Sequence, residues 1–93
     1  MRVRYRALAL ADLESIFQYL NERSPTGARH VLRAIHAAID DVSRHPFAAP
    51  QTSDPNLRVK ILGRYRYKIF YSVNDTIEII HIRHAARKPW MEG

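Results

Sequence analysis

Between Ser24-Pro25 and Pro46 the chain carries Ala28, Val31, Leu32, Ile35, Ala38, Ile39 and Val42, apolar positions that keep a 3.6-residue period for almost four turns. No other feature restricts the fold as much. Such spacing draws an apolar stripe down one side of a helix, and a stripe of that length has to be buried against another layer. Both ends are marked. Ser24-Pro25 reads as an N-cap followed by proline at the first helical position. Pro46 ends the helix, because the residue before a proline is pushed out of the helical region. Upstream, Leu13, Ile16, Phe17 and Leu20 fall at i, i+3, i+4 and i+7, which predicts an earlier helix over about 8–22. Asp12 and Glu14 are expected near its start, where the helix dipole favours negative charge. Very few residues join the two helices, so they should pack as an antiparallel pair.

The layer beneath them is legible as a change of period. Val3 and Tyr5 alternate with Arg2, Arg4 and Arg6, a short strand with one apolar and one basic face. Residues 46–56 hold three prolines and no period, and form a loop. Leu57, Val59 and Ile61 then alternate with Arg58 and Lys60. After a turn at Gly63-Arg64, Tyr65, Tyr67, Ile69, Tyr71 and Val73 alternate with Arg66, Lys68, Phe70 and Ser72. Asn74-Asp75 is a hairpin-type turn. Beyond it Ile77, Ile79 and His81 lie opposite Thr76, Glu78, Ile80 and Ile82, and a tail runs from His84 to Gly93. The predicted class is α+β: a two-helix hairpin on one face of a small, mostly antiparallel four-stranded sheet, in the order β-α-α-β-β-β.

At 93 residues and 10.8 kDa the chain is expected to form one domain over 1–93, with 84–93 as its tail. A domain of this size has little room for an enclosed pocket and should work from its surface. There is no cysteine, which excludes disulfides, thiolate zinc sites and thiol nucleophiles, and favours a reducing, cytoplasmic setting. No apolar run approaches the ~20 residues of a membrane helix, so no membrane partner is expected. The formal charge is +6. Residues 1–56 hold seven basic and six acidic side chains, whereas residues 57–93 hold eight and three. The surplus therefore belongs to the C-terminal strands and tail, and it calls for an acidic partner.

Four stretches in order resemble the RelE/ParE superfamily of bacterial toxins from type II toxin–antitoxin pairs, the kind that stabilise plasmids, and more closely its ParE-like members. They are Ala11-Asp12-Leu13-x-x-Ile16-x-x-Tyr19-Leu20; the second helix with Ala28, Ile35 and Ile39; the strand Tyr67-Lys68-Ile69-Phe70-Tyr71; and the segment from Ile80 through His81, His84 and Arg87 to Trp90. The resemblance implies a growth-inhibiting toxin, neutralised in a hetero-oligomer by a cognate ParD-like antitoxin that wraps it with an acidic, partly disordered C-terminal segment. It implies no cofactor. Two targets occur in the superfamily: ParE-like members poison DNA gyrase, and RelE-like members cut mRNA on the ribosome. On the gyrase reading, Arg83, Arg87, Lys88 and Trp90 form the target-binding surface, since Arg and Trp are enriched at interface hot spots. The antitoxin is expected to engage Leu13, Phe17, Leu20, Arg58, Lys60 and Arg64.

Metal-free RNA cleavage needs a base for the 2′-OH, cations for the phosphorane and an acid for the leaving oxygen. The residues of the right type are Lys60, Arg66, Lys68, His81, His84 and Arg87, with Arg58 and Arg64 on the same expected sheet surface. The pattern departs from RelE-like nucleases. Lys60 matches one of their paired lysines, but Leu62 stands at the other, Lys68 replaces an arginine, and Trp90 falls where a tyrosine is expected. Plainer readings stand beside these. His81 suits a partly buried histidine satisfied by a backbone carbonyl. Tyr65, Tyr67 and Tyr71 suit the buried face of the sheet rather than a base-stacking platform. The N-terminal arginines suit the protection of an edge strand. The cations Arg64, Arg66 and Lys68, read as one strand face, serve either as a solvated surface or as a binding one. Asp12, Asp40 and Asp41 are assigned to outer helical faces. His81-x-x-His84 makes no metal site, because residues three apart on a strand face opposite sides.

Overall fold

A computed structural model describes residues 1–85 of the chain. Its elements are β1 (Val3–Tyr5), α1 (Ala7–Arg23), α2 (Pro25–Arg44), β2 (Arg58–Leu62), β3 (Tyr67–Val73) and β4 (Ile77–His84). The strands form one mixed sheet in the order β1-β4-β3-β2, with β1 parallel to β4 and the other pairs antiparallel. The two helices, joined through Ser24, pack on each other, α1 over β4 and α2 over β2. No helix among the described residues is long and apolar enough to cross a membrane.

The α2 stripe behaves as its spacing dictates: Ala28, Val31, Ile35, Ala38, Ile39 and Val42 are all buried. Ser24 Oγ accepts the Gly27 N–H at 3.0 Å, an N-cap at the third helical residue. A Cβ at Gly27 would sit 3.2 Å from that hydroxyl, so the glycine gives the cap its close approach. α1 begins at Ala7, without a side-chain cap, and so Asp12 lies past its first turn, away from the dipole position expected for it. On α1 the buried positions are Ala9 and Ile16, with Leu13 and Leu20 partly covered and Phe17 39% exposed. One continuous core joins these faces to Leu62, Tyr67, Ile69, Tyr71, Ile77, Ile79 and Ile82.

Four local expectations are corrected. First, residues 63–66 form the β2–β3 turn, so Arg64 and Arg66 are not strand residues and do not share a face with Lys68. Arg66 has φ 61°, a left-handed conformation costing about 1–2 kcal/mol for a non-glycine residue. It is held by Arg66 N–H to Leu62 O at 2.8 Å and Ala85 N–H to Arg66 O at 2.6 Å. Second, β2 turns its basic residues toward the helices. Arg58 is opposite Tyr71 and Lys60 opposite Ile69, both core residues, while Ile61 on the other face is 55% exposed. Third, β4 runs through His84, so the tail starts later than expected. Fourth, β4 does not alternate uniformly. Tyr71 pairs with Ile79 but Phe70 pairs with His81, leaving Ile80 without an opposite residue. This bulge shifts the phase by one. Ile82, expected on the open face, is 2% exposed and pairs with Ile69 in the core.

Candidate functional site

The phase shift in β4 sets the position of Arg83, the one described residue among those expected to bind the target. Past the bulge, Arg83 comes opposite Lys68, and Lys68 is itself opposite Ile61. Ile61, Lys68 and Arg83 thus form one row across three strands on the face away from the helices, a basic pair beside an exposed aliphatic side chain. Arg87, Lys88 and Trp90, the other expected target-binding residues, lie outside the described residues.

The other side of β4 is closed by α1. β1 pairs with β4 only over Ile77–Ile79, so the edge of β4 beyond that point needs another partner. Asp12 supplies it. Its carboxylate accepts the Ile82 backbone N–H at 2.9 Å and a hydrogen bond from His81 Nδ1. His81 is 3% exposed, and the Asp12 side chain 12%. Asp12 is therefore no outer-face residue, and His81 is held by a carboxylate rather than by the expected carbonyl. A legible pattern would have found this: Ala9, Asp12, Leu13 and Ile16 are spaced i, i+3, i+4 and i+7 on the buried side of α1. At the end of β4, His84 meets the Tyr67 ring edge to face, with centroids 5.0 Å apart. An open cleft of about 350 Å3, lined by Asp12, Ser15, Tyr19, Arg83 and His84 among others, separates α1 from this strand end.

The remaining cations are distributed by the fold. Lys60 Nζ donates to Asp41 at 2.8 Å, so Asp41 reaches from α2 to the sheet rather than facing outward. That hydrogen bond and the charge of Lys60 hold the Asp41 carboxyl below the usual carboxylate range. Arg58 donates to the carbonyls of Ala49 at 2.7 Å and Phe47 at 3.3 Å, and its guanidinium lies over the Phe47 ring. Tyr71 Oη donates to Pro46 O at 2.8 Å, and burial pushes its phenol pKa up. Together Arg58, Lys60 and Tyr71 fasten the proline-containing loop and the end of α2 to the sheet.

The surface expected to join Lys60, Arg66, Lys68, His81 and His84 is therefore not assembled. Lys60 is on the helix side, Arg66 in a turn, Lys68 on the opposite face and His81 buried. Arg87 lies outside the described residues. Among the residues expected to meet an antitoxin, Leu13 and Leu20 pack on the core, Arg58 and Lys60 are fastened as above, and Phe17 and Arg64 are exposed. No group of three or more metal-ligating side chains occurs among the described residues.

Comparison with known proteins bears on this geometry. Residues 3–89 match a family model described as the ParE toxin of the type II toxin–antitoxin system, parDE. Y4kP of Sinorhizobium fredii, whose name marks it as a candidate toxin, is 27% identical over 84 residues, covering 90% of this chain and 88% of the relative. Toxin RelE2 of Caulobacter vibrioides is 28% identical over 79 residues, covering 85% and 89%. A solved structure titled as the chromosomal ParDE TA system from P. aeruginosa superposes with a TM-score of 0.77. It covers 90% of this chain and 95% of that one at 22% identity, a likeness of fold.

Proposed function

The chain belongs to the ParE toxin family of type II toxin–antitoxin systems, its match spanning residues 3–89, and from that footing we propose that it arrests growth by binding DNA gyrase and stabilising the enzyme's cleaved DNA complex. In this reading it acts in the cytoplasm and is neutralised in a hetero-oligomer by a cognate ParD-like antitoxin with an acidic C-terminal segment. One observation supports binding over RNA cleavage: the candidate nucleolytic side chains are dispersed over two sheet faces, a turn and the core. A histidine that is 3% exposed and held by Asp12 is poorly placed to move a proton on a nucleic acid strand. The row of Lys68 and Arg83 remains as a basic binding surface, and Arg87, Lys88 and Trp90 are proposed on the sequence alone to take part in the contact. The test is a supercoiling assay with purified gyrase. Added protein should block supercoiling and accumulate linear DNA, and co-purified antitoxin should reverse both effects. Unimpaired supercoiling at large molar excess, together with cleavage of ribosome-bound mRNA, would replace this reading with the RelE-type one.

A further inference from the structure

The sheet has two edge strands, β1 and β2, and they carry different chemistry. Along β1 run Arg2, Arg4 and Arg6, all exposed, the kind of charge that keeps an open edge from pairing with another chain. β2 has basic residues too, but they are held inward: Lys60 Nζ on Asp41 at 2.8 Å, Arg58 on the carbonyls of Ala49 and Phe47. What β2 leaves outside is apolar. Ile61 is 55% exposed, and Phe47, in the loop that borders the strand, 65%. An opening of about 240 Å3 lies between Ala48, Ala49 and Pro50 of that loop and Val59, Lys60 and Ile61 of the strand. Its one titratable side chain, Lys60, is the one already bound to Asp41.

The backbone of the same edge is open over one short stretch. Thr52 N–H donates to Leu57 O at 2.8 Å, and Val59 N–H to Pro50 O at 3.1 Å. The odd-numbered residues here therefore direct their N–H and C=O groups away from β3, as an antiparallel ladder requires. Residues 50–52 thereby cover the start of the strand. The cover stops at Pro50, which has no N–H to offer Val59 O. Ile61 is the next odd-numbered residue, and its N–H and C=O point outward with no backbone partner there among the described residues. A strand that pairs here exchanges two backbone hydrogen bonds with Ile61 and sets an apolar side chain against the opening.

We infer that this edge is a homodimer contact, in which β2 of one copy pairs antiparallel with β2 of a second about a two-fold axis near Ile61. Two features select a second copy. The backbone donor and acceptor, the apolar anchor and the opening that receives an anchor all belong to one stretch of chain, which is what an isologous contact needs. The chain also carries +6, so two copies repel unless the surfaces that meet are neutral, and at this edge both cations of the strand are bound within their own copy. By the same reasoning an acidic segment finds no cation here to pair with, and is the less favoured occupant. The contact is short, at the low end of interface sizes, below about 1,200 Å2, where association reverses on dilution. It joins two sheets edge to edge and rests on neither the gyrase nor the neutralisation half of the reading above.

The experiment is sedimentation velocity on the full chain alone, from low micromolar to near-millimolar concentration, with the fold of each variant checked by circular dichroism. Wild type should pass from monomer to dimer over that range and stop there, since an isologous contact closes on itself. Ile61→Glu puts a carboxylate on each side of the axis, at an exposed position opposite Lys68 of β3, where the fold accepts it. Ala48→Glu does the same from the exposed rim of the opening, so the test survives if one variant fails to fold. Each should weaken dimerisation at least tenfold. Leu10→Glu, the same change of charge at a 53% exposed leucine on α1, should leave it within about threefold of wild type. A wild-type chain that stays monomeric throughout overturns the inference. So does dimerisation within threefold of wild type in both edge variants with the fold intact, and a dimer lost in Leu10→Glu instead would place the contact on α1. Loss of antitoxin affinity in both edge variants of a chain that is monomeric alone overturns it in favour of the antitoxin as occupant of the edge.

Discussion

Asp12 is a single carboxylate that holds two chain segments together. It satisfies the Ile82 N–H, which β1 is too short to reach, and it anchors His81 in a site 3% exposed. Hydrogen bonds to a charged acceptor contribute more than neutral ones, and a buried donor deprived of its acceptor keeps its desolvation cost. Asp12→Ala should therefore lower stability by about 2–3 kcal/mol. Urea denaturation would show this as a shifted midpoint at unchanged slope, and a change below about 0.5 kcal/mol would mean that water replaces the carboxylate. At the same scale, exposure rather than charge separates the cations. Arg58 and Lys60 are consumed in holding the loop and α2, and so contribute to the fold more than to any partner.

Elements meet at two joints. One is the β4 bulge, which sends Ile82 inward and Arg83 outward. The other is the tie between α2 and β2, whose centre is Asp41 with Lys60. The Asp41 carboxyl is held below its ordinary pKa chiefly by the hydrogen bond from Lys60 and by its charge. A lowered carboxylate pKa stabilises the folded state above the unfolded value of about 3.9, and that contribution disappears as pH falls through the folded value. The stability difference between wild type and Lys60→Met should thus be constant near pH 6 and shrink as pH falls below the unfolded value and through the lowered folded one. Salt should narrow it at neutral pH, since Asp41 is 44% exposed. A difference that grew in acid would locate the effect in another group. The lesson for reading strands is also here. Simple alternation placed His81 with Ile77 and Ile79 and left Ile82 outside, because period two carries no mark of one inserted residue.

At the scale of the molecule one core serves both helices and all four strands, with Ile69, Ile77 and Ile79 each 0% exposed at its centre. Among the described residues there is no second cluster of comparable size to unfold alone, so the chain should melt in a single transition. Ile69→Ala would remove contacts with both layers and should cost about 2–5 kcal/mol. Far-ultraviolet circular dichroism and tyrosine fluorescence should lose signal at one common midpoint in wild type and variant alike. Separate midpoints would show helices and sheet unfolding independently. The same packing sorts the charge. The basic surplus of the C-terminal half is divided between a structural tie at Lys60, consumed in the fold, and a row on the open face of the sheet.

The sequence by itself determined the element order, the extent of α2 and the α+β class, because these follow from local periods, prolines and caps that act over a few residues. It also placed Tyr67 and Tyr71 in the core, since alternation is reliable in a regular strand. Tertiary structure alone decided which way β2 faces, where β4 changes phase, that Arg66 belongs to the turn, and which groups Asp12 holds. Each of those depends on a partner distant in sequence: α2 for Lys60, β3 for Ile82, Ala85 for Arg66, β4 for Asp12. A residue's own type fixes what it can bind, but only the folded chain fixes what stands opposite it.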